Sequence, residues 1–305
     1  MKKTKNIPAW VGDILLFITA LVWGGGFIGV QKSLETISPF YMIAVRFAIA
    51  SIMLILVFGK RLKNVKKEDL IAGIITGGFL FLGFAAQTSA ALYVHVGKLA
   101  FLTSLNVLMV PFLVYVVYKE HIKSYNIVAS LIATVGFGFL NLTKDMGFSI
   151  GIGEILAIVG AIIFAAHITA LGHYSKKMDV ILLAILQMVV CCVLGFVCAF
   201  IFEKPPAQFT VGMAMPILYL GICSTFIAFL FQTIGQKYTS SSRASLILSL
   251  ESVFGIIFSM LILKEIVTLS MGFGAVLIFV SVLFSEYMHI KHTKYTKQSE
   301  ECIAA

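Results

Sequence analysis

The sequence predicts an all-α integral membrane protein of ten transmembrane helices, arranged as two inverted five-helix repeats. Three observations lead there. The 305-residue chain is 60% hydrophobic and only 12% charged, with a mean hydropathy of +1.01, whereas soluble domains are roughly 25% charged and 45–50% apolar. Its apolar residues gather into ten stretches, each close to the ~20 residues that cross a ~30 Å hydrocarbon core. Gln87 to Glu120 also lines up with Gln232 to Glu265 without a gap, at a constant offset of 145 positions.

The ten stretches are Val11–Val30, Pro39–Phe58, Leu70–Leu92, Gly97–Tyr118, Tyr125–Leu142, Gly151–Leu171, Val180–Phe202, Gly212–Gly235, Ser241–Leu263 and Leu269–Met288. They divide the chain into a first repeat (1–142), a second repeat (151–288) and a polar tail (289–305), expected to be disordered. The join falls near Thr143–Ile150, and the longest inner loop, Gly59–Asp69, is basic. Pro8, Pro39, Pro205, Pro206 and Pro216 sit at span ends. Pro111 lies inside the fourth span and removes a backbone hydrogen bond there. In lipid, a neighbour or cavity water must satisfy the freed carbonyl. Gly24-Gly25-Gly26 and Gly77-Gly78 permit close backbone approach, local unwinding, or simple helix packing.

The repeat superposes Gln87-Thr88 on Gln232-Thr233, Tyr93 on Tyr238, Lys98 on Arg243, Asn106 on Glu251, and Lys119-Glu120 on Lys264-Glu265. Five spans per half is odd, so the second copy lies upside down in the bilayer. With the N-terminus inside, the outer segments hold only Lys32, Lys98, Lys144, Lys204 and Lys264. Arg46 lies within a span, and the other seventeen of the 23 Lys and Arg residues fall in inner segments. That is the positive-inside bias, and it places both termini in the cytoplasm. The net charge of +9 therefore follows membrane topology and need not signal nucleic acid.

Other features exclude function classes. Cys191, Cys192, Cys198 and Cys223 fall in spans, where Cys behaves as a small apolar residue, and Cys302 lies in the tail. No spacing suggests a metal site or a disulfide framework, and no phosphate loop or nucleotide-binding domain is present. No cofactor is expected. The basic-then-apolar N-terminus imitates a signal peptide but reads as an uncleaved first span.

Several motifs carry a family resemblance. The first span contains Ala20-Leu21-Val22-Trp23-Gly24-Gly25-Gly26-Phe27, and the second opens Ser38-Pro39-Phe40 and reaches Ala44-Val45-Arg46-Phe47. The ninth runs Tyr238-Thr239-Ser240-Ser241-Ser242-Arg243-Ala244-Ser245, then Leu248-Ser249-Leu250-Glu251-Ser252-Val253-Phe254, and on to Leu263-Lys264-Glu265. In order and spacing these resemble the EamA-like family of the drug/metabolite transporter superfamily, with Ser252 where that family usually has proline and Lys264 where it usually has glycine. The resemblance implies a ten-helix metabolite or drug carrier, often an exporter, with a central cavity lined by helices one, three, four, six, eight and nine. It does not fix a substrate among amino acids, nucleosides, sugar phosphates and cationic drugs.

Charges inside a span mark function or an internal pairing. Glu251 stands near mid-span, with Ala244, Gly255 and Ser259 on its face. It can carry a proton, meet a cationic solute group, or bond a neighbouring helix. Its repeat partner Asn106 can orient a polar solute or make an ordinary interhelical bond. Arg46 can pair with a carboxylate, bind an anion or snorkel to the surface. The resemblance favours a scaffold role for it. His167 can relay protons or bond an adjacent helix. Gln87 and Gln232 are repeat-equivalent, with Gln187 in span seven, while Trp23, Tyr93 and Tyr238 offer aromatic surface. Lys98 and Arg243 begin their spans and are expected as interface anchors.

The expected function is secondary transport by alternating access, moving a small metabolite or drug-like solute across the cell membrane. The resemblance implies export of an amino acid or related metabolite, and Glu251 offers a group for proton coupling. The alternatives are an intramembrane enzyme, for which only Glu251 and His167 offer acid–base chemistry, and a channel or receptor. The expected partners are a small-molecule substrate and the lipid bilayer, with no nucleic acid. Oligomeric state is not indicated.

Overall fold

The structure, a computed structural model, describes residues 8–94, 96–141, 150–205, 211–264 and 266–304. All ten expected spans are helical. Spans one to three are α1 (Ala9–Leu34), α2 (Pro39–Phe58) and α3 (Lys67–Ala90). Span four is split into α4 (Val96–Ser104) and α5 (Asn106–Tyr118), and span five is α6 (Ser124–Asn141). In the second half, α7 (Ile152–Tyr174) and α8 (Val180–Phe202) form spans six and seven. Span eight joins α9 (Val211–Leu218), a π-helical stretch Tyr219–Ile227 and α10 (Ala228–Tyr238). Span nine is α11 (Ser241–Leu248), α12 (Leu250–Phe258) and a π turn Ser259–Leu263; α13 (Leu269–Ala304) contains span ten. Among the described residues nine helices are long and apolar enough to cross a membrane, and Ser124–Leu140 is a shorter apolar tenth.

Local chemistry sets the helix ends. Pro39 starts α2, where its missing N–H costs nothing, and Glu203 from the end of α8 accepts from the N–H groups of Phe40 and Tyr41, both at 2.9 Å. Asp179 caps α8 by accepting from Ile181 N–H at 2.9 Å and Leu182 N–H at 3.3 Å. Large apolar residues such as Leu56, Phe200 and Phe202 stand exposed along the spans. Helices apolar on all sides are stable only against lipid or a core.

The duplication is written into the backbone. Among the described non-glycine residues only Lys119 and Lys264 take positive φ, both at 57°. They are repeat partners, and each ends the fourth span of its half. Spans four and nine are interrupted within one residue of matching places, α4 giving way to α5 at Leu105 and α11 to α12 at Ser249. The serines there bond alike: Ser104 Oγ donates to Phe101 O at 2.7 Å and Ser249 Oγ to Leu246 O at 2.6 Å. Such back-bonding bends helices.

The halves interlock by the same relation. α1 packs on α10 and α12, while its counterpart α7 packs on α3 and α5; α2 lies on α8, and α6 on α13. When the halves are exchanged, the α1 and α7 contacts map onto each other, and the α2–α8 and α6–α13 pairings onto themselves. An odd number of spans makes the exchanged copies antiparallel, as in inverted-repeat carriers.

One expectation changes. The tail is helical, since α13 continues to Ala304; its Lys, Gln, Glu and Ala residues are strong helix formers. The first-span glycines do not unwind α1, which is continuous from Ala9 to Leu34. They admit neighbours instead: a Cβ on Gly24 would lie 2.5 Å from the Phe254 Cβ. The expected join Thr143–Ile150 lies outside the described residues except for Ile150, as do Glu265 and the side chains of Phe27 and Lys98.

Candidate functional site: a cavity between the repeats

The interrupted helices frame a cavity of about 140 Å³. That is roughly ten times the 10–15 Å³ needed to admit one water, and enough for a small metabolite. Helices from spans one, three, four, six, eight and nine form the wall, with Arg46 of span two and Phe137 of span five completing it.

Both repeat-related polar pairs reach this space: Gln87 with Gln232, and Asn106 with Glu251. Asn106 and Glu251 follow the breaks in spans four and nine. No described residue hydrogen-bonds to the side chains of Gln87, Asn106 or Glu251. Gln232 is 1% exposed, and its Oε1 has no described partner. Buried polar groups are ordinarily satisfied, so this cluster suits a polar solute.

His167 also lines the cavity and is held from behind. Its Nε2 lies 3.0 Å from Gln187 Oε1, Gln187 Nε2 donates to Thr233 Oγ1 at 3.0 Å, and Thr233 donates to Phe229 O at 2.7 Å. Because that chain ends on a carbonyl, Gln187 Oε1 must accept, which assigns the proton of the neutral imidazole to Nε2. Trp23 lines the wall and donates from Nε1 to Ser224 O at 2.8 Å, with its ring 5.0 Å from that of Phe229.

Arg46 is 3% exposed, so it does not snorkel. Its Nε donates to Thr225 Oγ1 at 2.8 Å and its Nη2 to Ser224 Oγ at 3.2 Å. The guanidinium stands 4.9 Å from the centre of the Phe84 ring. Both hydroxyls belong to the π-helical stretch of span eight, and π-bulges recur at functional sites. The sequence reading missed these two residues; the available signal was an adjacent Ser-Thr pair in an apolar run. It also missed Phe84, Phe164, Ser245 and Ser249, which line the cavity but look like ordinary span residues.

Tyr93 and Tyr238 are not in the wall. Tyr93 is 65% exposed beyond α3, and Tyr238 closes α10 beside Gly12. Arg243 is no interface anchor: it is 6% exposed and pairs with Asp13 at 2.7 Å and with Glu286. Thr239 also donates to Asp13, at 2.8 Å. Two carboxylates from α1 and α13 make an inward-facing guanidinium cheaper than a snorkelling one.

The comparisons with known proteins agree with this architecture. The EamA-like transporter family matches residues 10–142 and 151–287, one match for each half. An uncharacterized transporter of Archaeoglobus fulgidus is 34% identical over 280 residues, covering 92% of this chain and 87% of its own. The uncharacterized transporter YoaV of Bacillus subtilis is 25% identical over 281 residues, covering 88% of this chain and 94% of its own. A crystal structure superposes with a TM-score of 0.80 at 16% identity, over 91% of this chain and 96% of that one; at that identity it speaks for the fold alone. With a match to each repeat and transporter relatives along nearly its whole length, this multi-pass membrane protein belongs to the EamA-like transporter family.

Proposed function

We propose that this membrane transporter is a secondary carrier that moves an amino acid or related small metabolite out of the cell by alternating access. The repeats rock about the cavity, exposing it to one side and then the other. The supporting observation is the meeting of Gln87, Gln232, Asn106 and Glu251 in one membrane-embedded space, where no described residue bonds the side chains of Gln87, Asn106 or Glu251. Binding sites at the repeat interface suit this mechanism. Orientation follows the Lys and Arg bias, which favours a cell membrane with both termini in the cytoplasm.

Glu251 is the coupling group in this reading. An intramembrane carboxyl facing a cavity is typical of proton relays, and Asn106 in the same cavity supplies an uncharged donor and acceptor. Proteoliposomes given a pH gradient and a mixture of radiolabelled amino acids test both parts. The wild type should accumulate label against its gradient. Glu251→Gln should lose that accumulation yet keep some solute exchange. Full accumulation by Glu251→Gln would rule out coupling at this residue. Absence of flux in the wild type would remove the carrier reading for these solutes.

A further inference from the structure

The chain has three arginines, and their partners differ. Arg61 pairs with Asp179, and Arg243 with Asp13 and Glu286. Arg46, buried in the cavity wall, has no carboxylate partner among the described residues. It meets two neutral hydroxyls and two aromatic rings. A guanidinium taken into lipid without a counter-charge is expensive, and hydroxyls do not neutralise it.

The hydroxyls do orient it. Thr225 Oγ1 gives its own proton to Leu220 O at 2.7 Å, so it can only accept from Arg46. A guanidinium has five N–H donors in a planar fork; Thr225 and Ser224 use one on Nε and one on Nη2. Three donors are left, two on Nη1 and the second on Nη2, and one from each nitrogen forms the parallel pair that matches a carboxylate or phosphate. The rings of Phe47 and Phe84 flank the charge, and low-polarity walls strengthen its pull on an anion.

From this we infer that the transported solute carries an anionic group, a carboxylate or a phosphate ester, and that Arg46 is its counter-charge in the cavity. The inference rests on the cavity being the solute site and adds the charge class of what enters. A zwitterion satisfies it; a simple cation or a neutral polyol does not.

The chain supplies its own reporter. Its two tryptophans are Trp10, which is 60% exposed, and Trp23. Trp23 donates to Ser224 O while Ser224 Oγ accepts from Arg46. Trp10→Phe therefore leaves one indole a single residue away from the guanidinium. In lipid nanodiscs at constant ionic strength, the full chain carrying this change is titrated with three matched pairs: lactate and lactamide, alanine and alaninamide, glycerol phosphate and glycerol. At least one acid should shift Trp23 emission saturably, and its uncharged or cationic counterpart should bind about tenfold or more weakly, the loss expected for one charge-assisted bond. Which acid responds separates carboxylate from phosphate.

Arg46→Gln should abolish the acid response, and Arg46→Lys should retain a weaker one. Equal responses within each pair, no saturable response to any acid, or an intact acid response in Arg46→Gln would overturn the inference. The acid–counterpart comparison needs no change at Arg46, so misfolding of a variant cannot rescue or sink it. A response to alaninamide alone, lost in Glu251→Gln, would refute the anion class while leaving the cavity as a solute site.

Discussion

Gly24, next to the cavity-lining Trp23, packs on α12 with no room for a methyl group. A Cβ there would lie 2.5 Å from the Phe254 Cβ, 2.8 Å from Gly255 N and 2.9 Å from the Phe254 carbonyl carbon. Carbon atoms rest about 3.5–4.0 Å apart, so Gly24→Ala must push α1 and α12 apart by about 1 Å. Two of the three atoms are backbone, and no rotamer change relieves them. Overpacking of this kind costs about 1–3 kcal/mol, against about 1 kcal/mol gained because alanine is the better helix former. A net loss of up to about 2 kcal/mol is expected. Gly78→Ala is the internal control: nothing lies within 4 Å of its Cβ, so only the helix-propensity gain of about 0.5–1 kcal/mol applies. Unfolding midpoints of the purified variants in one detergent should fall below wild type for Gly24→Ala and at or above it for Gly78→Ala. Because Gly24 follows Trp23, the indole emission should also move in Gly24→Ala alone. A Gly24→Ala protein as stable as Gly78→Ala would refute the close crossing of α1 and α12.

Two further substitutions probe the supports of the site. Gln187→Ala removes both the bond to His167 and the bond to Thr233 and leaves buried polar groups unmet, so it should lower stability by about 1–3 kcal/mol in the same unfolding assay; Gln187→Glu, which keeps an acceptor for His167, should lose less. Glu203→Ala deletes the carboxylate that caps α2 from another span and should destabilise by about 1 kcal/mol, with Glu203→Gln intermediate.

The fold was legible because lipid leaves few options. Ten apolar stretches become ten helices, and an odd-numbered repeat has to invert. Glu251, Asn106, Gln87 and Gln232 were legible as polar residues in apolar runs at a fixed offset, and all four reach the cavity. What surrounds Arg46 was not legible. Thr225 lies 179 positions away, and its presentation depends on a π-helical stretch that no residue pattern announces. The breaks at Leu105 and Ser249 were equally silent, since leucine and serine are ordinary inside helices. Tyr93 and Tyr238 fall at or past the C-terminal ends of α3 and α10, so matching positions in the repeats did not bring their rings to the cavity. Arg243 looked like an anchor because its carboxylate partners come from the first and last spans.

Inversion of the repeats underlies the cavity, the pairing of Asn106 with Glu251 and the carrier mechanism together. Lys119 and Lys264, the two exposed left-handed helix ends, are its natural markers. In a background with the five cysteines replaced, Lys119→Cys and Lys264→Cys can be challenged with a membrane-impermeant maleimide on intact cells and on inverted vesicles. One cysteine should label only from the outside and the other only from the inside. Labelling of both from the same side would mean parallel repeats, and would contradict a shared site between them.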